Sequence, residues 1–220
     1  MPKRARPAVT ERSEHWLRVM VNERTELLND HIAGAFGWTE EVIEWCSPLE
    51  RDGYAEYYDQ EFLDCLGVQD LAMPLEEFWP QSGPRWDGLA RTQNGKLILV
   101  EAKAHIEETV DFGSKASPGS LRRIQQRLDE AKFAFGAYGE SCWYTPFYQM
   151  TNRLAHLYFL AELNKKDAYL VFLNFANAPD VPQPASLQEW EGAARLARKC
   201  LGMKDSKLAR RVATIVVNLS

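Results

Sequence analysis

RWDGLARTQNGKLILVEAKAH, residues 85–105, is the stretch on which the fold turns. At its centre Gln93-Asn94-Gly95 is a turn signal between two runs of strand character, about 85–91 and 96–104. The second run starts with the apolar Leu97-Ile98-Leu99-Val100 and then changes to Glu101-Ala102-Lys103. Alternate side chains of a strand share a face, so Glu101, Lys103 and His105 point one way and Val100, Ala102 and Ala104 the other. A carboxylate and an ammonium beside so apolar a run are costly to bury unless they are paired or hold something. The first run carries Asp87, between Trp86 and Gly88. The length of the turn decides where Asp87 points. A two-residue Asn94-Gly95 turn sets Asp87 against Ala102, facing away from Glu101. A three-residue loop, with Gly95 left-handed, sets it opposite Glu101 on the same face. The second register, or an equivalent bulge, is expected, because only it brings the two carboxylates together.

Two adjacent carboxylates suit a hard divalent cation, Mg²⁺ or Mn²⁺, and leave coordination positions for water and a substrate phosphate. Such an ion polarises the phosphate and lowers the pKa of bound water. A neighbouring lysine holds or activates that water and offsets charge growing on the phosphate. Asp87, Glu101 and Lys103 are therefore the candidate catalytic residues for phosphodiester hydrolysis, with Asp87 and Glu101 as metal ligands.

Outward from the hairpin the chain reads as alternating elements. A helical pattern covers 13–36, and a short piece at 42–45 precedes the turn SPLERDG. A second helix is expected over 55–66. Prolines 74, 80 and 84 punctuate the approach to the hairpin. Beyond it come a loop at 111–120, helices at 119–138 and from Pro146 to 163, and a near-continuous apolar strand at 169–175 that implies burial on both faces. A helix at 187–201 and a strand at 212–219 finish the chain. The fold class expected is α/β (α+β): a central mixed sheet containing the hairpin at 85–104, flanked by helices. One domain over 1–220 is expected, with an N-terminal helical elaboration at about 13–45.

At Trp86-Asp87-Gly88 and Glu101-Ala102-Lys103 the chain resembles the PD-(D/E)XK nuclease-like superfamily, whose pattern is an aspartate near the start of one strand and (D/E)-x-K on the next. Tryptophan stands where the pattern's name has proline. The resemblance implies a restriction-endonuclease-like core in the order helix, three strands, helix, strand, into which the helix at 55–66, the hairpin, the helix from Pro146 and the strand at 169–175 would fit. It implies a Mg²⁺-dependent (or Mn²⁺-dependent) nuclease acting on nucleic acid, DNA above all. It also implies a further carboxylate from the helix before the sheet: Glu61 is the first choice as metal ligand and Glu56 the second, although surface glutamate is the commoner fate. The resemblance covers the central part of the chain and leaves the first helix and the C-terminal third weakly explained.

Other residues could serve a substrate. His105 shares the face of Glu101 and Lys103, where it contacts a phosphate or serves as a structural hydrogen-bonder. Gln149, Asn152, Arg153 and His156 form one stripe of the helix after Pro146, and the first three are candidates for phosphate contact. Gln125 and Gln126 are weaker candidates. Lys115 and its glycine-bearing loop could close over a substrate. Trp143 and Tyr144 either stack a base or, the better reading, fill the core.

Composition bounds these readings. The chain has 220 residues, 45 % hydrophobic and 26 % charged, with a formal net charge of -5. That balance argues against a protein coating nucleic acid by nonspecific phosphate contacts, and less against an enzyme that gathers carboxylates around metal ions. Basic residues cluster at Lys3, Arg4 and Arg6, at Arg122, Arg123 and Arg127, and near the C-terminus; solvated faces are the plain reading. The four cysteines are scattered, with no CxxC pair and no zinc spacing, which fits reduced thiols. No apolar leader or membrane-length run is present, so a cytoplasmic protein with no membrane partner is expected. Homodimer formation is left open. Two rivals stand beside the nuclease: a non-catalytic nucleic-acid- or protein-binding domain on the same fold, and a small-molecule enzyme using Asp87, Glu101 and Lys103 as acid, base and electrophile. An apolar pocket of a few hundred Å³ without a divalent-cation site would favour the last.

Overall fold

The computed structural model describes residues 12–111 and 113–220; the basic cluster Lys3, Arg4 and Arg6 lies outside them. Hairpin geometry sets the sheet. The N–H of Thr92 donates to the Lys96 carbonyl (2.8 Å) and that of Gly95 to the Thr92 carbonyl (3.0 Å), closing a three-residue loop. Gly95 has φ +85°, a conformation an L side chain resists. Strand β2 (Gly88–Thr92) then pairs antiparallel with β3 (Leu97–Lys103), with Gly88 opposite Val100 and Leu89 opposite Leu99. Asp87, one residue before β2, reaches β3 with its side chain, which accepts the Ala102 N–H at 2.8 Å.

Strand β1 (Ile43–Ser47) flanks β2 antiparallel, and a bulge lies between Trp45 and Ser47. Strand β4 (Ala168–Ala176) runs parallel to β3, and β5 (Val212–Asn218) parallel to β4. Among the described residues the sheet order is β1-β2-β3-β4-β5, a mixed sheet of five strands. Interior strand β4 is buried on both faces, hence its near-continuous apolar run.

Helices cover both faces. On one, α1 (Arg12–Asn22) and α2 (Thr25–Phe36) bury Leu17, Met20, Leu28 and Ile32 against Ile98, Val100 and Ala102. On the other, α3 (Gln60–Cys65), α4 (Leu75–Phe78), α5 (Pro118–Ala134), α6 (Tyr148–Tyr158) and α7 (Leu187–Cys200) cover Leu97, Leu99, Leu170 and Phe172. The alternation along β3 thus divides two cores, and Glu101 and Lys103 belong to the side of α6.

The helix expected at 13–36 is two helices. Asn22 accounts for the break: its amide donates to the carbonyls of Arg18 (2.8 Å) and Pro48 (3.0 Å), and its oxygen accepts the N–H of Glu50 (3.0 Å). A side chain that competes for backbone groups interrupts a helix. The segment 13–45 is not an elaboration, since it supplies one helical layer and edge strand β1. Helix α3 is shorter than the expected 55–66, because Tyr57 pairs with Trp86 as an extended bridge and Asp59 has φ +49°. The order helix, three strands, helix, strand is therefore made with α1–α2 and β1, rather than with the helix at 55–66.

Gly88 is required by packing. A Cβ there would lie 3.1 Å from the Trp45 ring and 3.2 Å from the Val100 Cβ, tighter than a side chain tolerates.

Candidate functional site

Where β2 begins, Asp87 turns its carboxylate across to β3 and accepts the N–H of Ala102 at 2.8 Å. Burial, and then the charge of Glu101 facing it, push the Asp87 carboxyl up to about 7, although Lys103, Arg153 and the Ala102 N–H all favour its ionised form. Glu101 is only 3 % exposed. Its Oε1 receives the Lys103 ammonium at 2.6 Å and its Oε2 the Arg153 Nε at 2.6 Å. Burial raises the Glu101 carboxyl, but the two cations outweigh it and hold the group below its ordinary value. Burial likewise lowers the Lys103 ammonium, and Glu101 and Asp87 more than restore it, so it stays charged. Two carboxylates and two cations thus form a balanced, desolvated cluster in which Glu101 is the hub.

Arg153 comes from α6 and is held on three sides. A terminal nitrogen donates to the Arg85 carbonyl at 2.8 Å, and the guanidinium lies 5.0 Å from the centre of the Trp86 ring. The sequence placed Arg153 at a substrate phosphate. Its Nε is instead directed at Glu101, and the residue is buried. Trp86, fully buried, is the platform for that contact, which gives a role to the tryptophan before Asp87.

The other residues singled out by sequence fall unevenly. Gln149 stands at the start of α6, where its N–H donates to Asp111 Oδ2 at 2.6 Å. It lines two cavities. One, of about 430 Å³, is walled by Asp87, Glu56, Arg85, Asp111, Asn152 and Arg153. The other, of about 280 Å³, is walled by Glu101, Lys103, Phe172, Asn174, Trp190 and Met203 among others. Glu61 is in neither, whereas Glu56, the second choice, shares the cavity wall with Asp87, because the chain before α3 is not helical. His105 pairs with Glu107 and borders neither cavity. Trp143 is core, with its Nε1 donating to the Leu201 carbonyl. Gln126 pairs with Glu130, and Gln125 receives the Tyr144 hydroxyl on its carbonyl. Arg123 and Arg127 donate to the carbonyls of Glu76 and Glu77, tying α5 to α4.

Sequence reasoning missed Asp111 and Asn174. Asp111 comes from the loop yet serves α6, accepting the Gln149 N–H at the helix start. Asn174 sits inside the apolar run of β4, in parallel register with Lys103. A lone amide in such a run was the available signal.

His156 completes the stripe on α6 but not the site. Its ring is buried among Phe62, Phe78, Trp79 and Trp86, and its Nδ1 lies 2.9 Å from the Asn152 carbonyl. Burial first, and Arg153 as well, push it down to about 3 against the pull of that carbonyl. A depressed histidine is neutral in the folded chain and takes up its proton on unfolding, so its stabilising effect is complete above the unfolded value of about 6.5 and is lost as pH falls toward 3. Between pH ~7 and pH ~5 wild type is expected to lose ~2 kcal/mol through this group. Urea unfolding at the two pH values, compared with His156→Gln, checks this; an equal loss in both proteins would assign it elsewhere.

The donor set can be tested against a cation. Among the described residues, no group of three or more His, Cys, Asp or Glu is placed to hold a metal ion. Two neighbouring carboxylates remain. Asp87, pushed up by burial and then by Glu101, is the group whose charge a cation would stabilise, and Glu101 would exchange one of its two cationic partners for the ion. The pair fits an ion that keeps most of its water. No helix among the described residues is long and apolar enough to cross a membrane. No protein family, curated protein or solved structure compared with this chain matches it.

Proposed function

We propose that this chain is a metal-dependent nuclease of the PD-(D/E)XK type that hydrolyses phosphodiester bonds of nucleic acid, DNA above all. The observation that supports the reading is the meeting of carboxylates where β2 begins: Asp87 bonds the N–H of Ala102, the residue after Glu101, and Glu101 holds the Lys103 ammonium. Asp87 and Glu101 would hold Mg²⁺ or Mn²⁺, which supplies charge stabilisation at the phosphate and a more acidic water. The chain's own residues do the rest. Lys103 keeps a charged ammonium whose side chain is 16 % exposed, so it reaches the attacking water while bonded to Glu101. Arg153 fixes the plane of the Glu101 carboxylate through its second oxygen. Arg85 and Asn152, on the wall of the Asp87 cavity, orient the phosphate.

The small-molecule reading has two observations in its favour, the largely apolar chamber of about 280 Å³ beside Lys103 and the lack, among the described residues, of a group of three or more side chains placed to hold a metal ion. It gives no reason for Asp87 and Glu101 to meet where β2 begins. The deciding experiment is cleavage of single- and double-stranded DNA with Mg²⁺ or Mn²⁺ by wild type, Asp87→Ala and Lys103→Ala. Activity in wild type alone supports the nuclease. Equal inactivity of all three with metal-independent binding retained supports a binding domain.

A further inference from the structure

The chamber between α7 and the sheet is not used by the chemistry above, although it opens on two of its residues. Glu101 and Lys103 form its inner end, and Gln149 is shared with the cavity of Asp87. Phe172, Met150, Met203 and Trp190 give it apolar walls. On α7 the wall is built of Ala193, Ala194 and Ala197, so no side chain fills the space. Its volume, about 280 Å³, falls just below the ~300–1,000 Å³ of pockets for drug-sized ligands, which leaves room for a ring system rather than a chain of them.

Asn174 points to a ligand. It is 6 % exposed, lies on the face of Phe172, and lines the chamber. Its side-chain amide has no hydrogen bond with any described residue and is not among the atoms shut off from the chamber, so its donor and acceptor are both open to a ligand. Gln149, half-buried at the start of α6, also borders the chamber. Arg195 and Arg198 complete the lining from α7 and are exposed.

We propose that this chamber receives one unpaired base of the substrate strand, which makes single-stranded nucleic acid, or a strand end from which a base can swing out, the substrate class. The inference rests on the nuclease reading for the position of the scissile phosphate. The phosphate lies by Asp87, the chain passes Gln149, and the next base enters beside Lys103. Phe172, Met150 and Met203 pack on its faces, and the amides of Asn174 and Gln149 meet its edge, as unstacked bases are held elsewhere by apolar walls and amides. Arg195 and Arg198 match the phosphates that follow, on a chain whose net charge is otherwise negative. A base paired in a duplex cannot reach the chamber without being extruded.

The test uses a short single strand of DNA carrying a fluorescent purine analogue, the same strand annealed to its complement, and no divalent cation. Wild type should quench the analogue in the single strand and bind it at least tenfold more tightly than the duplex. Ala194→Phe, which fills the chamber, and Asn174→Ala, which removes the amide, should each weaken single-strand binding about tenfold and leave duplex binding unchanged, with thermal unfolding recorded for both. Equal binding of single strand and duplex by wild type, or wild-type single-strand affinity in either folded variant, overturns the proposal. Cleavage with Mg²⁺ separates the two readings. Quenching without cleavage keeps the base site and removes the nuclease; cleavage indifferent to Ala194→Phe keeps the nuclease and removes the base site.

Discussion

Glu101→Leu is expected to destabilise the protein by ~3–5 kcal/mol, whereas Glu101→Leu, Lys103→Met and Arg153→Met combined are expected to be neutral or stabilising by ~1–4 kcal/mol. The single change leaves two cations with side chains 16 % and 5 % exposed and no carboxylate between them. Removing one partner of a buried ion cluster exposes the full desolvation cost of the others, which attraction had offset. A loss of that size is a large part of the ~5–15 kcal/mol that holds a domain together. Removing all three together removes their desolvation cost with the attraction, Asp87 is left as a carboxyl whose neutral form burial favours, and Leu99, Phe172 and Met150 nearby accept apolar replacements. Guanidinium unfolding of the two variants and wild type checks this. A combined variant as unstable as Glu101→Leu would show that the cluster is kept for stability, and the argument that it is kept for chemistry would fail.

The second large effect is on cleavage. Asp87→Ala, Glu101→Gln and Lys103→Ala are each expected to lower kcat for DNA hydrolysis by on the order of 10²–10³-fold or more, the range for loss of one preorganised electrostatic group. The stabilities should diverge. Glu101→Gln weakens two charge-assisted bonds at once and should unfold earlier than wild type. Asp87→Asn retains an oxygen for the Ala102 N–H and removes one of two facing carboxylates, so it should be at least as stable as wild type without divalent cation. Loss of activity with gain of stability identifies a residue held for function. Arg153→Lys distinguishes a positioning role. It keeps the charge but not the aligned contacts to Glu101, Arg85 and Trp86, so kcat should fall with little change in KM.

Much of this was legible because short-range rules governed it. Gly95 closed a three-residue loop, and that loop set the register of β2 against β3. The apolar runs marked β3 and β4, and the helix expected at 119–138 is α5, which begins at Pro118 with the Ser117 side chain accepting the Ser120 N–H. What failed depended on partners far along the chain. Asn22 breaks a helix by reaching Pro48 and Glu50. Tyr57 is held extended by Trp86, which moves Glu56 rather than Glu61 to the Asp87 cavity. Arg153 was visible as part of a polar stripe, but only the packing of α6 on β3 turns it from substrate to Glu101. Periodicity reads one element at a time and cannot see these contacts.

The most direct measurement is a Mn²⁺ titration of wild type and Asp87→Asn, with free ion followed by electron paramagnetic resonance. The expected result is one ion withdrawn from solution per wild-type chain, displaced by Mg²⁺, and none withdrawn by Asp87→Asn although that variant is folded. Wild type that leaves all Mn²⁺ free, or Asp87→Asn that binds it equally, would contradict the assignment of Asp87 and Glu101 as a shared cation site.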